Sequence, residues 1–486
     1  MKNTTTHIKL ASDLTISRIL TGLWQIADLE RDGKILDPAE TAAFMKPYAE
    51  SGLTTFDMAD HYGSAEIIAG TYQQQFDHEQ KTQMLTKWVP EPGKVGKQEI
   101  RKAVQERLTR LRTEQLDLLQ YHAWLYADPA WLDTLFELQE LKREGLIKQL
   151  GVTNFDSAHL RIALSSGIKL VSNQVCYSLL DQRASGEMRA VCEQYNVKLL
   201  AFGTLAGGFL SNKWLNQPEP TVDDSFTWSQ MKYKRFIDEA GNWNSFQSLL
   251  KVLYKIAEKH EVSISNIASR FILEQSHVAG VILGARLGKS EHINDNIQLF
   301  NFQLDKEDHA EVNAQLDSMN SIHGDCGDEY RKPPFLTASG DLSHHVKGFP
   351  EPYPTCLNAN GNKTVVSGTY WEEMAGYSRA VRTGNTIKVS GTTATHGELM
   401  IGGDDLKAQT HFVIDKIEGA IISLGGKLED VDRTRIFVND VNDWEPIARA
   451  HGERFKDIQP ANTLVEAKLV GAGYKVEIEA EATIKA

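Results

Sequence analysis

The first two thirds of the chain alternate between short apolar runs and longer segments in which apolar residues recur every three or four positions. The short runs are typical of buried strands and the longer segments of amphipathic helices. The predicted strands are 19–24, 54–57, 83–87, 116–122, 148–152, 170–173, 198–202 and 280–283. Predicted helices between them include 39–50, 97–111, 130–143 and 187–195. This α/β alternation, over about 300 residues, predicts a (β/α)8 TIM barrel, and the lack of a GxGxxG motif after the first strand disfavours an open doubly wound sheet.

The pattern changes beyond residue 317. Residues 324–362 are rich in proline, glycine, serine and asparagine, which predicts a linker between domains. After the linker, the predicted order is strand 380–389, helix 407–424, strand 434–438, helix 444–455 and strands 463–469 and 474–483. We therefore predict a barrel at residues 1–323, a linker at 324–362 and a smaller α+β domain at 363–486.

Composition and charge exclude several classes of protein. Hydrophobic residues make up 41% of the chain, which is enough to build packed cores. The net charge of −13 argues against nucleic acid as a partner, because phosphate binding requires a basic face. No apolar run reaches the ~18 residues of a membrane span, and the N-terminus has no apolar signal-peptide region. The four cysteines have neither disulfide nor metal-site spacing, so we expect a cytoplasmic protein without a bound metal or a membrane partner.

Four polar residues stand at or just beyond the ends of the second, third and fourth predicted strands. They are Asp57, Tyr62, Lys87 and His122. Each alone is explained as well by a helix cap, a turn or a solvated surface, but strand ends of a barrel meet at one mouth, where active sites lie. Carbonyl reduction by hydride needs a proton donor, and tyrosine, with a pKa of ~10, needs a nearby cation to become acidic enough. Lys87 can supply that cation, Asp57 can hold the lysine, and His122 can donate a hydrogen bond to the substrate oxygen.

The segment GLTTFDMADHYGSAE, which contains Asp57, Tyr62 and Glu66, is similar to the first signature of the aldo-keto reductase superfamily. The resemblance continues through 151–155, 172–178, 201–213 and 284–296, and covers roughly residues 8–320. It implies a (β/α)8 barrel that binds NAD(P)H without a Rossmann fold. It also places Asp57, Tyr62, Lys87 and His122 on the catalytic tetrad of that family.

The same resemblance implies the positions that bind the cofactor and line the substrate pocket. They are Thr153, Asn154 and Gln174 for the nicotinamide carboxamide, Phe202 as the stacking ring, Gly203, Thr204 and Leu205 for the pyrophosphate, Gly284, Arg286, Lys289, Ser290 and Asn296 for the adenosine end, and Trp24, Trp88 and Trp124 for the pocket. Arg286 and Lys289 would pair with a 2′-phosphate, which favours NADP over NAD, although a solvated loop explains these charges too. We expect Ser290 to cap a short helix at its N-terminus.

The C-terminal part resembles the YjgF/Rid/UK114 family through GYSRAVRTGNTIKVSGTTA (376–394), 432–444 and 476–482. The resemblance implies a chorismate-mutase-like α+β domain that forms trimers with clefts between subunits. Tyr377, Thr392 and Glu477 fall on cleft positions, and Asn462 stands where deaminating members carry an arginine. Since asparagine lacks the charge and the fork of a guanidinium, we expect no hydrolysis of 2-iminocarboxylates. The domain would then serve oligomerisation, or the handling of another ligand or imine.

Together these features predict an NADP-dependent carbonyl reductase for a small-molecule aldehyde or ketone, with tyrosine as the proton donor, in a homo-oligomer. One alternative is a nucleotide-binding regulatory or scaffold protein, which the complete tetrad disfavours. Another is a bifunctional enzyme that processes an imine.

Overall fold

The computed structural model describes residues 5–76, 81–337 and 346–485. Eight parallel strands close into a barrel, and they match the eight predicted strands within a few residues at each end. They are β3 (Ile19–Gly22), β4 (Thr55–Asp57), β5 (Gln83–Trp88), β6 (Leu116–Tyr121), β7 (Ile147–Thr153), β8 (Ser172–Cys176), β9 (Lys198–Phe202) and β10 (Val278–Gly284). The predicted (β/α)8 barrel is confirmed.

A hairpin that the sequence pattern did not predict precedes the barrel. Its strands are β1 (His7–Ala11) and β2 (Leu14–Ser17), paired antiparallel. Apolar side chains of the hairpin, such as Leu14 and Ile16, pack on Leu20 of β3 and Leu200 of β9 in one buried cluster. The hairpin therefore closes the end of the barrel opposite the strand carboxyl ends, which leaves a single open mouth.

Helices surround the barrel and its mouth. They are α1 (Trp24–Leu29), α2 (Pro38–Ala43), α3 (Lys46–Glu50), α4 (Ala65–Gln75), α5 (Lys97–Leu111), α6 (Ala130–Arg143), α7 (Ser157–Ser165), α8 (Glu187–Tyr195), α9 (Trp228–Glu239), α10 (Trp243–His260), α11 (Ile264–Leu273), α12 (Ile293–Ile297), α13 (Lys306–Leu316) and α14 (Asp328–Arg331). The predicted single helix 39–50 is wrong: α2 ends before Phe44, and α3 begins with Pro47 in its first turn. Proline has no N–H to continue the hydrogen bonds of α2.

The C-terminal domain is a seven-stranded sheet, in the order β11-β12-β13-β14-β19-β17-β18. Its elements are β11 (Thr355–Leu357), β12 (Lys363–Val365), α15 (Tyr370–Ala375), β13 (Ala380–Thr383), β14 (Thr386–Thr393), β15 (Thr395–His396), β16 (Leu399–Met400), α16 (Leu406–Ser423), β17 (Val431–Val438), α17 (Trp444–Phe455), β18 (Ala461–Glu466) and β19 (Val476–Thr483). The predicted strand 380–389 is in fact two strands, because Gly384, at a φ of 61°, reverses the chain. Strand β11 lies inside the segment predicted as linker.

The two domains pack through helices. Helix α16 lies against α7 of the barrel, and a Cβ at Gly419 of α16 would overlap the carbonyl oxygen of Ala127. On its other side, α16 packs on β14 and β19. The opposite face of the sheet carries Glu477, Glu479 and Glu481, since side chains alternate along β19 and the residues between them are buried. Within residues 5–76, 81–337 and 346–485, none of the helices combines the length and the hydrophobicity that a membrane-spanning segment requires.

Candidate active site at the mouth of the barrel

Three of the four predicted catalytic residues come together at the mouth, where Asp57 and Lys87 are buried and Tyr62 is half-buried. Asp57 ends β4, Lys87 lies near the end of β5, and Tyr62 follows β4 in the turn before α4. The Lys87 ammonium donates to Asp57 Oδ2 at 2.7 Å and to the Met58 carbonyl at 2.8 Å. Its Nζ lies 4.9 Å from the centre of the Tyr62 ring. Burial lowers the pKa of Lys87, and the Asp57 carboxylate opposes that shift by favouring the charged amine.

His122 lies beside this cluster, directly after β6. Its ring is buried, and burial together with the charge of Arg331 lowers the pKa of His122 well below the ordinary value. The ring is therefore neutral near pH 7. Its Nδ1 is 3.4 Å from the Thr153 carbonyl, a long contact, and its Nε2 has no hydrogen-bond partner among the described residues. Because a carbonyl only accepts, the Thr153 contact places the proton of the neutral ring on Nδ1 and leaves Nε2 as an acceptor. The predicted donation to a substrate oxygen requires the other tautomer, in which the contact with Thr153 is no longer a hydrogen bond.

Two glutamine amides extend the cluster toward β8. Asp57 Oδ1 accepts from Gln174 Nε2 at 2.7 Å and from Gln120 Nε2 at 3.3 Å. Gln174, predicted to bind the nicotinamide carboxamide, is thus oriented by the carboxylate of Asp57. Gln120 is a site residue that the sequence reasoning missed. Its position two residues before His122, on a strand, is a signal that could have found it, because alternate residues of a strand share one face.

The turn after β7 carries the most distinctive feature of the predicted cofactor site. Asn154 has a left-handed φ of 58°, its N–H donates to the Gln174 carbonyl at 2.8 Å, and its carbonyl accepts from Arg331 at 2.7 Å. The side-chain Oδ1 of Asn154 is buried without a hydrogen-bond partner among the described residues. A buried acceptor is costly to leave unpaired, so this atom fits an amide N–H donor such as a carboxamide. Thr153 lies beside it, with Oγ1 donating to the Gln174 carbonyl at 3.1 Å.

Strand β9 ends in the predicted stacking ring and the predicted pyrophosphate turn. Phe202 is half-buried, and Gly203, at a φ of 80°, leaves no room for a Cβ because the hydroxyl of Tyr233 lies there. Thr204 is fully buried, with Oγ1 3.3 Å from Ser269 Oγ, so the structure does not present this predicted pyrophosphate residue at the surface of the turn. Leu205 is half-buried beside it.

Lys232 of α9 is a second residue that sequence reasoning missed. Its Nζ lies 5.4 Å from the centre of the Phe202 ring and donates to the Tyr330 hydroxyl at 2.6 Å. A buried ammonium therefore lies beside Phe202, the ring that is predicted to stack on the nicotinamide.

The loop after β10 holds the predicted adenosine-end residues. Gly284 ends the strand, and Arg286, Lys289 and Ser290 are exposed, while Asn296 is half-buried on α12. The prediction that Ser290 caps the helix is wrong: α12 begins at Ile293 with His292 before it, and Ser290 forms a bridge back to Arg286. The bridge turns the loop on itself, which moves the helix start past Ser290.

Two of the three predicted pocket tryptophans lie at the mouth. The Trp24 ring is 4.9 Å from the Tyr62 ring, and the Trp124 ring is 4.4 Å from the His122 ring. Trp88 is instead buried against Tyr121 and the guanidinium of Arg107 on α5, so the structure does not bring it to the catalytic cluster. Since side chains alternate along a strand, Lys87 at the mouth directs its neighbour Trp88 toward the helix layer.

The predicted cleft residues of the C-terminal domain only partly come together. Arg379 donates to the Tyr377 hydroxyl at 3.1 Å and to Thr392 Oγ1 at 2.8 Å. On β19, Glu477 pairs with Thr393, the residue after Thr392. Burial raises the pKa of Glu477, and the charge of Arg379 opposes that shift. Asn462 lies two strands away on β18, where its amide donates to Thr434 at 2.9 Å. Within one chain the structure therefore does not place Asn462 with the other three.

Comparison with known proteins gives a match for each domain. The family model described as Aldo/keto reductase family matches residues 18–317, and the model described as Endoribonuclease L-PSP matches residues 370–484. An uncharacterized oxidoreductase of Bacillus subtilis is 28% identical over 301 residues, which is 60% of this chain and 89% of the relative. The NADH-specific methylglyoxal reductase of Escherichia coli is 24% identical over 317 residues, 61% of this chain and 94% of the relative.

The two domains have separate relatives in these comparisons. An uncharacterized protein of Streptomyces coelicolor is 35% identical over 127 residues, which is 26% of this chain and 95% of the relative. The solved structure of a glycerol dehydrogenase from Gluconobacter oxydans covers 66% of this chain and 98% of its own, with a TM-score of 0.54 and 24% identity. That likeness supports the fold of the barrel.

Proposed function

The chain belongs to the aldo/keto reductase family, and from that premise we propose that its barrel reduces the carbonyl group of an aldehyde or ketone. Bound NADPH would supply the hydride. The observation that carries the proposal is the buried Lys87 ammonium, held by Asp57 at 2.7 Å and placed 4.9 Å from the centre of the Tyr62 ring. A cation so close to a phenol stabilises the phenolate and lowers the pKa of the phenol.

The chain's own residues divide the work of proton transfer. Tyr62 donates its phenolic proton to the oxygen on which negative charge develops, and Lys87 stabilises the phenolate that remains. Asp57 keeps the lysine charged against the cost of burial. His122, neutral because it is buried, fixes the direction of the same substrate oxygen by donating from Nε2, in the tautomer that gives up the hydrogen bond of Nδ1 to Thr153. Trp24 and Trp124 form apolar walls that suit a carbonyl compound.

Asn154, Gln174 and Thr153 would hold the nicotinamide carboxamide, with Phe202 as the stacking ring. The unpaired Oδ1 of Asn154 supports this assignment. At the adenosine end, the exposed cations Arg286 and Lys289 support a preference for a 2′-phosphate, hence for NADPH over NADH. One similar protein is an NADH-specific methylglyoxal reductase, and the test therefore compares both dinucleotides.

Replacement of Tyr62 and Lys87 tests the proposal. Tyr62→Phe and Lys87→Met should each lower kcat at least 10²-fold, because general-acid catalysis contributes about 10²–10⁴-fold. Neither side chain is assigned to the dinucleotide, so the Kd for NADPH should stay nearly unchanged. The assay follows NADPH and NADH oxidation with a panel of aldehydes, ketones, quinones and cyclic imines.

Tyr121→Phe is a matched control, since Tyr121 is a buried tyrosine of the same barrel whose ring packs on Phe155, with 6.2 Å between ring centres. The control should keep its rate. A Tyr62→Phe enzyme that keeps most of the reductase rate would contradict the proposal.

For the C-terminal domain, we propose assembly and ligand binding without hydrolysis of 2-iminocarboxylates. Asn462 cannot provide a charged fork, and Arg379 and Arg435 are already held by groups of the same chain. Arg379 donates to Gly391, Thr392 and Tyr377, and Arg435 pairs with Glu479 at 2.9 Å and with Glu481 at 3.1 Å. The sheet face that carries these glutamates lies opposite the face on which α16 packs, which supports a trimer with a wet interface.

A further inference from the structure

A buried chain of charges crosses the boundary between the two domains. His159 of α7 contacts Asp156 Oδ1 through Nδ1 at 2.6 Å and Asp415 Oδ2 of α16 through Nε2 at 2.9 Å. The other oxygen of Asp415 accepts from Arg454 of α17 at 2.5 Å. Asp156, His159 and Asp415 are only 6%, 4% and 1% exposed. Such groups are buried together only where charges and hydrogen bonds compensate each other.

The two carboxylates keep His159 charged. Burial alone lowers the pKa of His159, but attraction and hydrogen bonds from Asp156 and Asp415 outweigh burial and raise it to about 9. As a cation, the ring donates from both nitrogens, so its orientation is determined on both sides. The Tyr126 ring stacks on it with 3.5 Å between ring centres.

Other charged groups act on His159 indirectly, through Asp156 and Asp415. Arg454 also pairs with Glu418 of α16, at 2.5 Å. On the barrel side, Asp325 and Lys332, from the segment after α13, act on Asp156. These groups tune the two carboxylates that contact the ring.

Asp156 connects these buried charges to the predicted cofactor site. It precedes the first residue of α7, and its Oδ1 accepts from the His159 N–H at 2.8 Å as well as from the ring. It follows Asn154 by two residues, in the turn where the Asn154 carbonyl is held by Arg331. The turn that presents the unpaired Asn154 Oδ1 is therefore fixed upstream by β7 and β8 and downstream by Asp156.

We propose that Asp415 of the C-terminal domain is a positioning residue for the dinucleotide site of the barrel: through His159 it holds Asp156, and so it orients Asn154. The inference rests on the proposed function, because it takes Asn154 as a ligand of the nicotinamide carboxamide. It makes the C-terminal domain a structural part of the cofactor site.

A second ion pair between the domains provides a matched control. Arg161 lies on the same helix, α7, and donates to Asp405 of the C-terminal domain at 2.9 Å. Asp405 also accepts from Tyr195 at 2.9 Å and contacts no residue of the turn at 154–156. Asp405→Asn therefore removes a charge that joins the domains but leaves Asp156 and His159 in place.

The test uses the full chain, with Asp415→Asn and Asp405→Asn compared to wild type. We expect Asp415→Asn to raise the Kd for NADPH and for NADH about tenfold, measured by dinucleotide fluorescence at pH 7. With saturating dinucleotide, kcat should change less than threefold, since Tyr62 and Lys87 are untouched. Asp405→Asn should change the Kd for NADPH and for NADH less than twofold, although it should lower Tm about as much as Asp415→Asn does.

A pH profile separates positioning from a general loss of stability. In wild type, dinucleotide affinity should fall as His159 loses its proton above about pH 9. Without the Asp415 charge, the pKa of His159 falls, so the same loss should begin at lower pH; Asp405→Asn should leave the midpoint unchanged. If Asp415→Asn does not fold, His159→Gln tests the same link, with the expected tenfold weakening.

The outcomes distinguish the two proposals. If wild type binds neither dinucleotide, the proposed function fails and this inference fails with it. If wild type binds but Asp415→Asn binds equally well, or if Asp405→Asn weakens binding as much, the positioning role alone is refuted.

Discussion

Replacing His159 with glutamine should remove a contribution to stability that depends on pH. The folded pKa of His159 is about 9, above its ordinary value of 6.5. Below pH 6.5 both the folded and the unfolded chain hold the proton, and the contribution is fully present. Above pH 6.5 the unfolded chain releases the proton first, so the contribution falls and is lost as the pH rises through about 9. At ~1.4 kcal/mol per pKa unit, the shift corresponds to about 3 kcal/mol.

A second buried group titrates in the same range with the opposite sign. Burial, with a further effect of Arg379, lowers the pKa of Lys416 from 10.5 to about 7. The unfolded chain then binds the proton more tightly than the folded chain, so this group adds stability as the pH rises from 7 toward 10.5. The wild-type curve contains both effects. Because Lys416 is present in both proteins, its effect cancels in the difference between the Tm of wild type and the Tm of His159→Gln.

The measurement is Tm by calorimetry from pH 6.5 to 10, at one scan rate, for both proteins. Unfolding entropy of ~2.1 cal/mol/K per residue gives about 1 kcal/mol per degree for a chain of this length. The Tm advantage of wild type should therefore shrink by about 3 °C across the range. A difference that stays constant across the range would refute the protonated histidine.

The other predictions concern the cofactor loop and the C-terminal domain. Replacing Arg286 and Lys289 together with alanine should weaken NADPH at least tenfold more than NADH, because charged hydrogen bonds contribute about 1.5–3 kcal/mol each before screening; equal losses in fluorescence titrations would mean that the loop is structural. Light scattering should give the full chain a mass three times its 54.4 kDa, and a monomer would contradict the trimer. The chain should not hydrolyse 2-aminoacrylate, because Asn462 lacks the guanidinium, and rapid turnover would show that another cation takes that role.

Much of the fold could be predicted from the sequence because it depends on local periodicity. The bounds of α5, α6, α8 and α17 agree with the predicted helices, since each has an uninterrupted amphipathic pattern. The pattern failed at 39–50, where a proline divides one apolar stretch into two helices. It also missed the hairpin of β1 and β2, whose apolar side chains find their partners only at the closed end of the barrel.

The candidate site could be predicted in outline for a topological reason. Carboxyl ends of successive parallel strands meet at one mouth, so Asp57, Lys87 and the residues that follow their strands had to lie close together. The direction in which a side chain points is harder to predict from the sequence. Trp88 stands next to Lys87 along the chain but lies in the helix layer, while Gln120, which carried no motif, contacts Asp57.

By itself, the sequence determined the two domains, the barrel and the place of the candidate site, because these follow from periodicity, strand order and the types of residue at strand ends. Only the tertiary structure decided how the domains meet. His159 carries no motif, and its ionisation depends on Asp415, 256 residues further along the chain. Burial lowers the pKa of a histidine and carboxylates raise it, and which effect dominates is set by the distance between groups that only the packing of α16 on α7 brings together.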